Sequence, residues 1–430
     1  MESREKTVLM VAYHFPPAAM GSGHLRTLGF VKYLPSLDWN PVVLSAHTRA
    51  YPRLDAASEG QIPQACTVHR AFALDARRHL GIRGKYPDFL AQPDRWSSWW
   101  PAAVWQGLRL IRRYKIRIIW STYPIMTAHC IAYTLSRLTG LPWVADFRDP
   151  VISSVAGQSR LTVSTQMRWE RRVVSNATHT VFTSLGAMQS YAERYSQAYR
   201  DGLMTVISNG YDEASFSALP APRPYQPGRP LRLLHSGLLY RSGRDPMPFL
   251  TALARLKTSG IVRADDLQVT LRASGYEAEY ATEIQRLGLN DLVSLAAPLP
   301  YQEALSEQAD ADALLLFQGS QYDRQIPVKL YEYLRIGRPI FALVGEHGDT
   351  AVLLRDTGGT VIAPLDDTSI IEKRFREFID ALRKGQAPKP DNNIVQKYSR
   401  HQTAVMLARI MDQITNQKIQ QKIQQRWKRH

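Results

Sequence analysis

Two cysteines, Cys66 and Cys130, are all that the 430 residues contain. They lie far apart and have no metal-ligand spacing, which excludes a disulfide framework and fits a reducing compartment. Long apolar runs are also missing. The first, Val8 to Ala12, has five residues, too short for a signal-peptide core, and no small-residue cleavage site follows. Nothing approaches the ~18 uninterrupted apolar residues of a membrane span. A cytoplasmic protein is expected. Acid is scarce as well: 38 Asp and Glu stand against 54 Lys and Arg, a formal net charge of +16. At ~150 residues per domain the chain is long enough for two or three domains.

An excess of that size points to nucleic acid or to an anionic lipid surface as partner. Its distribution is uneven. Between Arg70 and Arg117 basic residues far outnumber Asp75, Asp88 and Asp94, and Trp96, Trp99, Trp100 and Trp105 stand among them. Residues 102 to 115 look helical, with Val104, Leu108 and Ile111 on one face. Core tryptophans with a solvated basic face explain this block. So does an interfacial surface with rings at headgroup depth. Residues 417 to 430 form a basic tail in which Lys-Ile-Gln-Gln repeats; on a helix Lys418, Lys422 and Arg426 make one stripe. It reads either as a disordered solubilising tail or as a small amphipathic segment. No nucleic-acid recognition motif accompanies the charge.

Strand and helix alternate through both halves of the chain. Val8–Ala12, Asp38–Ser45, Ile116–Ser121, Leu141–Phe147, His179–Ser184 and Met204–Asp212 read as strands of the first half. Helices are expected at 25–34 and 161–177, and residues 48 to 95 show little periodicity. Leu219 to Pro230 is a Pro-rich, semi-rigid linker where a domain boundary is expected. Strands are expected again at 231–237, 267–273, 293–297, 311–317, 339–344 and 359–363, with a helix at 247–257. Two doubly wound sheets follow from this alternation. A last helix covers Tyr398 to Ile414. The expected domains are 1–218 with 398–416, and 231–397.

The stretch with most chemistry is Gln325-Ile-Pro-Val-Lys-Leu-Tyr-Glu-Tyr-Leu-Arg-Ile-Gly-Arg-Pro339. Pro327 suits a turn or first helical turn. Leu330, Tyr333 and Leu334 recur at helical spacing, and Gly337 with Pro339 ends the helix. A loop feeding a helix N-terminus offers free N–H groups and the positive dipole end to a phosphate. Lys329 adds a cation there, and Glu332 lies one turn in. A surface helix with a solvated Lys and Glu fits the same pattern. Near the start, Tyr13-His-Phe-Pro-Pro-Ala-Ala-Met-Gly-Ser-Gly23 follows a strand, as a ligand loop at the edge of a parallel sheet would. His14 and His24 there also suit plain loop histidines. Leu141-Pro-Trp-Val-Ala-Asp-Phe-Arg-Asp-Pro150 is a strand with its exit loop, and Asp146, Arg148 and Asp149 suit sugar hydroxyls or a loop-pinning ion pair.

These segments resemble, in order, motifs of glycosyltransferase family 4: "hFPP-x-x-G-x-G", "iPDr" at Pro93–Trp96, "glPWvaDfRDP", "vipNGyD" at 206–212, "hsGlLY-x-x-gRdP" at 235–246, and "iPxKlyEYL". The resemblance covers Tyr13 to about Asp412. It implies the GT-B fold, two Rossmann-like domains facing a central cleft with a C-terminal helix crossing back to the first. It also implies a retaining, metal-independent transfer of a sugar from a UDP- or GDP-linked donor to a glycan or lipid-linked hydroxyl. No cofactor is expected. Asp310-Ala-Asp312 precedes a core strand and is expected to cap it rather than hold a metal.

By the same resemblance Asp146, Arg148, Asp149, Arg241 and Lys329 are the catalytic candidates. Gly21, Gly23, Gly237, Arg244, Gly275, Pro327, Val328 and Glu332 are the donor-binding ones, Glu332 on the ribose. His24, Arg26 and Trp96 are acceptor-side candidates. Lys329, Arg241 and Arg244 are expected to converge on one diphosphate. The chain departs from the family at Val328, where Gly is common, at Leu238, where Arg is common, and at Val151, where the branch has Trp. It departs also at Arg324, where a second Glu stands in the wider family, and Asp323 is the neighbouring substitute. A GT-B sugar-nucleotide epimerase is the rival enzyme, and a nucleic-acid-binding protein the rival binding module.

Overall fold

The computed structural model describes residues 6–19, 21–81, 87–151, 158–219, 226 and 228–427. The chain divides into two compact units, Met1–Asn209 with Arg400–His430, and Gly210–Ser399. The division falls in the Asn-Gly turn, ahead of the Pro-rich stretch where the boundary is expected. The reason is that Tyr211 and Phe216 are buried in the second unit's core, with the Arg335 guanidinium over both rings. Most of the expected linker, 220–225 and 227, lies outside the described residues.

The first unit is built on seven parallel strands: β1 (Lys6–Val11), β2 (Trp39–Ala46), β3 (Thr67–Ala71), β4 (Ile118–Thr122), β5 (Trp143–Phe147), β6 (His179–Phe182) and β7 (Met204–Val206). Their order is β3-β2-β1-β4-β5-β6-β7. The strands are apolar on both faces because helices cover both. Alternate residues enter different cores: Leu9, Val11, Leu44 and Ile119 one, Val8, Met10, Val43 and Trp120 the other. Ala404, Leu407, Met411 and Ile414 of the long helix Arg400–Trp427 belong to that second core. This helix packs on helix Leu25–Tyr33, where Gly29 leaves room for the Arg400 stem; a Cβ at 29 would lie 2.8 Å from it. The helix runs past the expected end at Ile414. Of the basic tail, residues 428–430 and the side chains of 419 and 421–427 lie outside the described residues.

The second unit has six parallel strands: β8 (Leu231–Ser236), β9 (Leu267–Arg272), β10 (Val293–Ala296), β11 (Ala313–Phe317), β12 (Ile340–Leu343) and β13 (Thr360–Ala363). Their order is β10-β9-β8-β11-β12-β13. In both sheets the order reverses at the first strand, between β1 and β4 and between β8 and β11. Crevices for ligands open at such switch points, beyond the carboxyl ends of the strands. Asp312 anchors β11: its carboxylate accepts from both Arg229 Nη atoms at 2.7 Å and from the Arg232 amide at 2.8 Å. Asp310 pairs with Arg232 at 3.0 Å. Among the described residues no helix is long and apolar enough to cross a membrane.

Candidate functional site

At the carboxyl edge of the first sheet, the exits of β1, β5 and β6 are tied together by Arg148. Its Nη1 donates to the Gly23 carbonyl at 2.6 Å, its Nε and Nη2 to Asp149 Oδ2 at 3.3 and 3.2 Å, and its carbonyl accepts from Thr183 Oγ1 at 2.8 Å. Gly21–His24 form one tight turn. Gly23 is small for a reason: a Cβ would stand 2.8 Å from His14 Nδ1 and 3.1 Å from Arg148 Nη1. His14 is buried, and among the described residues its Nε2 has no hydrogen-bond partner. Burial first, then the Arg148 and His24 charges, push its imidazole down to about 3, so it is neutral at physiological pH. His14 is the residue here that the sequence reading did not assign. The signal was its place at a strand exit, one residue before Phe15-Pro-Pro17.

Asp146 and Arg26, expected on the catalytic and acceptor sides, are brought together as an ion pair. Arg26 Nε and Nη2 donate to the Asp146 carboxylate at 2.7 and 3.2 Å, and Nη1 donates to the Ser208 carbonyl at 2.9 Å. Both side chains are buried. Burial pushes the Asp146 carboxyl up and the Arg26 guanidinium opposes it. Both oxygens of Asp146 are thus engaged by Arg26, which ties the β5 exit to helix Leu25–Tyr33. Trp96 is likewise no surface residue. Its indole donates to the Ala50 carbonyl at 3.3 Å and its ring lies 4.6 Å from Tyr13. Asp94 beside it caps helix Met126–Thr139, accepting from the Thr127 amide at 2.8 Å. Trp99 is core too; Trp105, 59% exposed under the Arg109 guanidinium, is the outward one.

At the carboxyl edge of the second sheet, helix Val328–Ile336 starts at Pro327, an extended residue, and no side chain caps it. The Lys329 ammonium folds back over this N-terminus and donates to the Ser236 carbonyl at 2.8 Å. There it lies against Gly237, whose φ is 126°. A Cβ at 237 would be 2.4 Å from Lys329 Nζ, so both backbone and space demand glycine. Burial, then the neighbouring Arg244 charge, push the Lys329 amine down to about 7, with Glu332 opposing. Arg244 Nε has no hydrogen-bond partner among the described residues. Val328 is the first helical residue, where its side chain is no obstacle to its own N–H. Glu332 is buried and accepts from Tyr301 Oη at 2.7 Å.

Arg241 does not join Lys329 and Arg244. It is exposed and pairs with Glu279 at 2.5 Å, which holds it over helix Glu277–Arg286. Arg241→Ala is therefore expected to change stability by less than about 0.5 kcal/mol, because exposed pairs contribute little; urea denaturation checks it. Gly275 has a φ of 81°, and its N–H donates to Glu277 Oε1 at 2.9 Å.

The loop between β11 and the Lys329 helix is held by Gln318, which the sequence reading passed over. Its Nε2 donates to the carbonyls of Tyr322 and Gln325 at 2.7 and 2.9 Å, and its Oε1 accepts from Thr350 Oγ1 at 2.6 Å. Asp323, the substitute for the missing Glu at Arg324, sits on Gly345 and Gly348; a Cβ at 348 would stand 2.7 Å from its Oδ1. Burial and Asp349 push its carboxyl up. The second edge thus offers a helix N-terminus and two cations to an anion, with the Glu332 carboxylate one turn into the helix for hydroxyl groups.

Residues 21–210 match the model of the family described as glycosyl transferase 4-like domain. A search among curated proteins gives no match. Among solved structures, the chain resembles a sucrose-phosphate synthase from Thermosynechococcus elongatus, at 16% identity and TM-score 0.61 over 95% of this chain and 99% of that one. HepE of Anabaena, solved with UDP and glucose, is 15% identical at TM-score 0.55 over 98% of this chain and 100% of that one. The lipopolysaccharide outer core galactosyltransferase WaaB, in apo form, is 12% identical at TM-score 0.57 over 93% and 97%. The fold is that of the GT-B glycosyltransferases: two parallel-sheet, Rossmann-like α/β domains.

Proposed function

We propose that the protein is a glycosyltransferase that moves a sugar from a UDP- or GDP-linked donor to a hydroxyl of a glycan or lipid-linked acceptor. The observation that carries the reading is the half-buried Lys329 ammonium, lying beside Gly237 and Arg244 at an uncapped helix N-terminus. Those groups suit a diphosphate, and their charge would stabilise it most as it leaves. Glu332 would take the ribose. The match over residues 21–210 and the solved complex of HepE with UDP and glucose support the reading. Retention of configuration and independence from metal belong to the same proposal. Asp310 and Asp312 are engaged by Arg229 and Arg232, which leaves that pair unsuited to a metal.

Glu332→Ala is the direct test. It is expected to weaken binding of the intact nucleotide sugar and to lower kcat/KM at least tenfold, with the fold retained; calorimetric titration with UDP- and GDP-sugars measures it. An unchanged kcat/KM in the folded variant sinks the assignment. Donor incubated without acceptor gives an epimer if the rival enzyme class is right.

A pH dependence follows from Lys329. Its amine, pushed down to about 7, must be protonated to hold a diphosphate. Affinity for UDP or GDP is expected to be full below pH 7 and to fall above it, by at most about tenfold per unit. The sign for stability is opposite. Between pH 7 and the ordinary lysine value the unfolded chain binds the extra proton, so this group's contribution to stability rises with pH. Titrations and melts from pH 6 to 9 separate the two.

A cytoplasmic enzyme resting on the inner face of the membrane is part of the proposal, to meet a lipid-linked acceptor. The pair Trp105 and Arg109, with ring and guanidinium 3.6 Å apart on an outward helix face, supports it.

A further inference from the structure

The opposite end of the first sheet, where the strands begin, carries a second cluster of cations. Two adjoining cavities of 420 and 210 Å³ open there, and both are lined by Gly140, Leu141, Pro142 and Lys418. Arg137 lines the larger and Arg117 the smaller. Arg117 and Pro142 immediately precede β4 and β5, which fixes the site at the amino edge, remote in the sheet from His14 and Arg148. A third cavity of 450 Å³ on this edge is lined by Arg113 and Lys115. Among the described residues no Asp or Glu lines any of the three. By contrast the 480 Å³ cavity at the carboxyl edge is lined by Asp88 and Asp94 as well as Arg95.

Arg113, Lys115, Arg117 and Arg137 make no ion pair among the described residues. The carboxylate of Asp412, on the long helix, is held by Lys6 at 2.8 Å and by Trp39 Nε1 at 3.2 Å. One ordinary role exists for two of them. Helix Met126–Thr139 ends here, Arg137 is in its last turn, and Lys418 Nζ donates to the Gly140 carbonyl. A helix end carries about half a negative charge. Arg117 and Arg137 alone bring two positive charges without an ion-pair partner among the described residues, more than the helix end offsets. Concentrating like charge on concave surface raises the local affinity for anions.

We propose that this amino edge binds phosphate groups through Arg117, Arg137 and Lys418. Guanidinium forks suit the oxygens of phosphate or pyrophosphate, and the cavities that Arg117 and Arg137 line share the wall formed by Gly140, Leu141, Pro142 and Lys418. The group could come from a soluble polyphosphate or from an anionic phospholipid headgroup. The inference does not rest on the glycosyltransferase reading, since none of these residues belongs to the candidate active edge.

The test is hydrogen exchange of the full chain with and without inorganic pyrophosphate, read at peptides covering 136–143 and 412–418. Slowed exchange there in the wild type is expected, and its loss in Arg117→Gln/Arg137→Gln. Any protection at 236–244 and 327–332 serves as the internal comparison and should persist in the variant, which also shows that it folds. Flotation with phosphatidylcholine vesicles, with and without phosphatidylglycerol, distinguishes the sources. Protection by pyrophosphate without flotation marks a soluble ligand. Flotation only with the anionic lipid, weakened about 30-fold in the double variant at low salt, marks a headgroup. Neither protection nor anionic flotation, or binding that survives in the double variant, overturns the proposal.

Discussion

Gly237→Ala is expected to lower kcat/KM for sugar transfer roughly 10²–10³-fold, the loss seen when a preorganised charge-stabilising donor is removed. Two separate effects converge. A φ of 126° suits glycine, and a side chain there costs about 1–3 kcal/mol of strain. The new Cβ would also stand 2.4 Å from Lys329 Nζ, so the ammonium must leave its place beside the Ser236 carbonyl. Gly260→Ala separates the effects. Its φ of 72° is strained for alanine, but nothing lies within 4 Å of the added atom. That variant should lose stability of the order of 1 kcal/mol and keep its activity. Steady-state kinetics on both, with thermal melts, decide the matter. A Gly237→Ala enzyme with wild-type kcat/KM would show that Lys329 has no part in turnover.

The second large effect concerns stability. Asp146→Ala leaves the Arg26 guanidinium buried without its carboxylate, and breaking a buried pair in this way typically costs 3–5 kcal/mol, so about that loss is expected in urea denaturation. Replacing both partners by apolar residues of similar volume, Arg26→Met with Asp146→Leu, should bring stability back toward wild type. A single-variant loss under about 1 kcal/mol would mean that the pair is solvated and that Asp146 is open to ligands after all. The two outcomes assign Asp146 to the frame or to the chemistry.

Most of the architecture was legible because the strands of a parallel sheet buried on both faces read as plain apolar runs. Val8–Ala12, Ala313–Phe317 and Ile340–Val344 stand out for that reason. β3 was missed for the converse reason: Thr67–Ala71 is an edge strand, half-buried, with His69 and Arg70 in it. The loop and helix from Pro327 to Gly337 were legible because proline and glycine punctuate both ends. What spacing could not settle was direction. Arg241 and Arg244 are three residues apart in one loop, yet one meets Glu279 and the other approaches Lys329. Trp96 and Trp105 belong to one aromatic cluster in sequence, yet only the second faces outward. Asp146 has the residue type for hydroxyl binding, and only its contact with Arg26, 120 residues away, shows it engaged.

The second unit interrupts the first. The chain leaves at Asn209 and returns at Arg400, so 190 residues are made between the last strand of the first sheet and the helix that belongs to one of its cores. Ribosomes add about 5–20 residues per second, so that interval lasts roughly 10–40 s. Throughout it Val8, Met10, Phe30 and Trp120 lack Ala404, Leu407 and Met411, which share their core in the finished protein. The nascent first unit therefore presents an apolar face for chaperones to hold, while the second unit, continuous in sequence, can fold as it emerges. A ribosome stalled at residue 399 should display that face to an apolar-surface dye, and the released full-length chain should not.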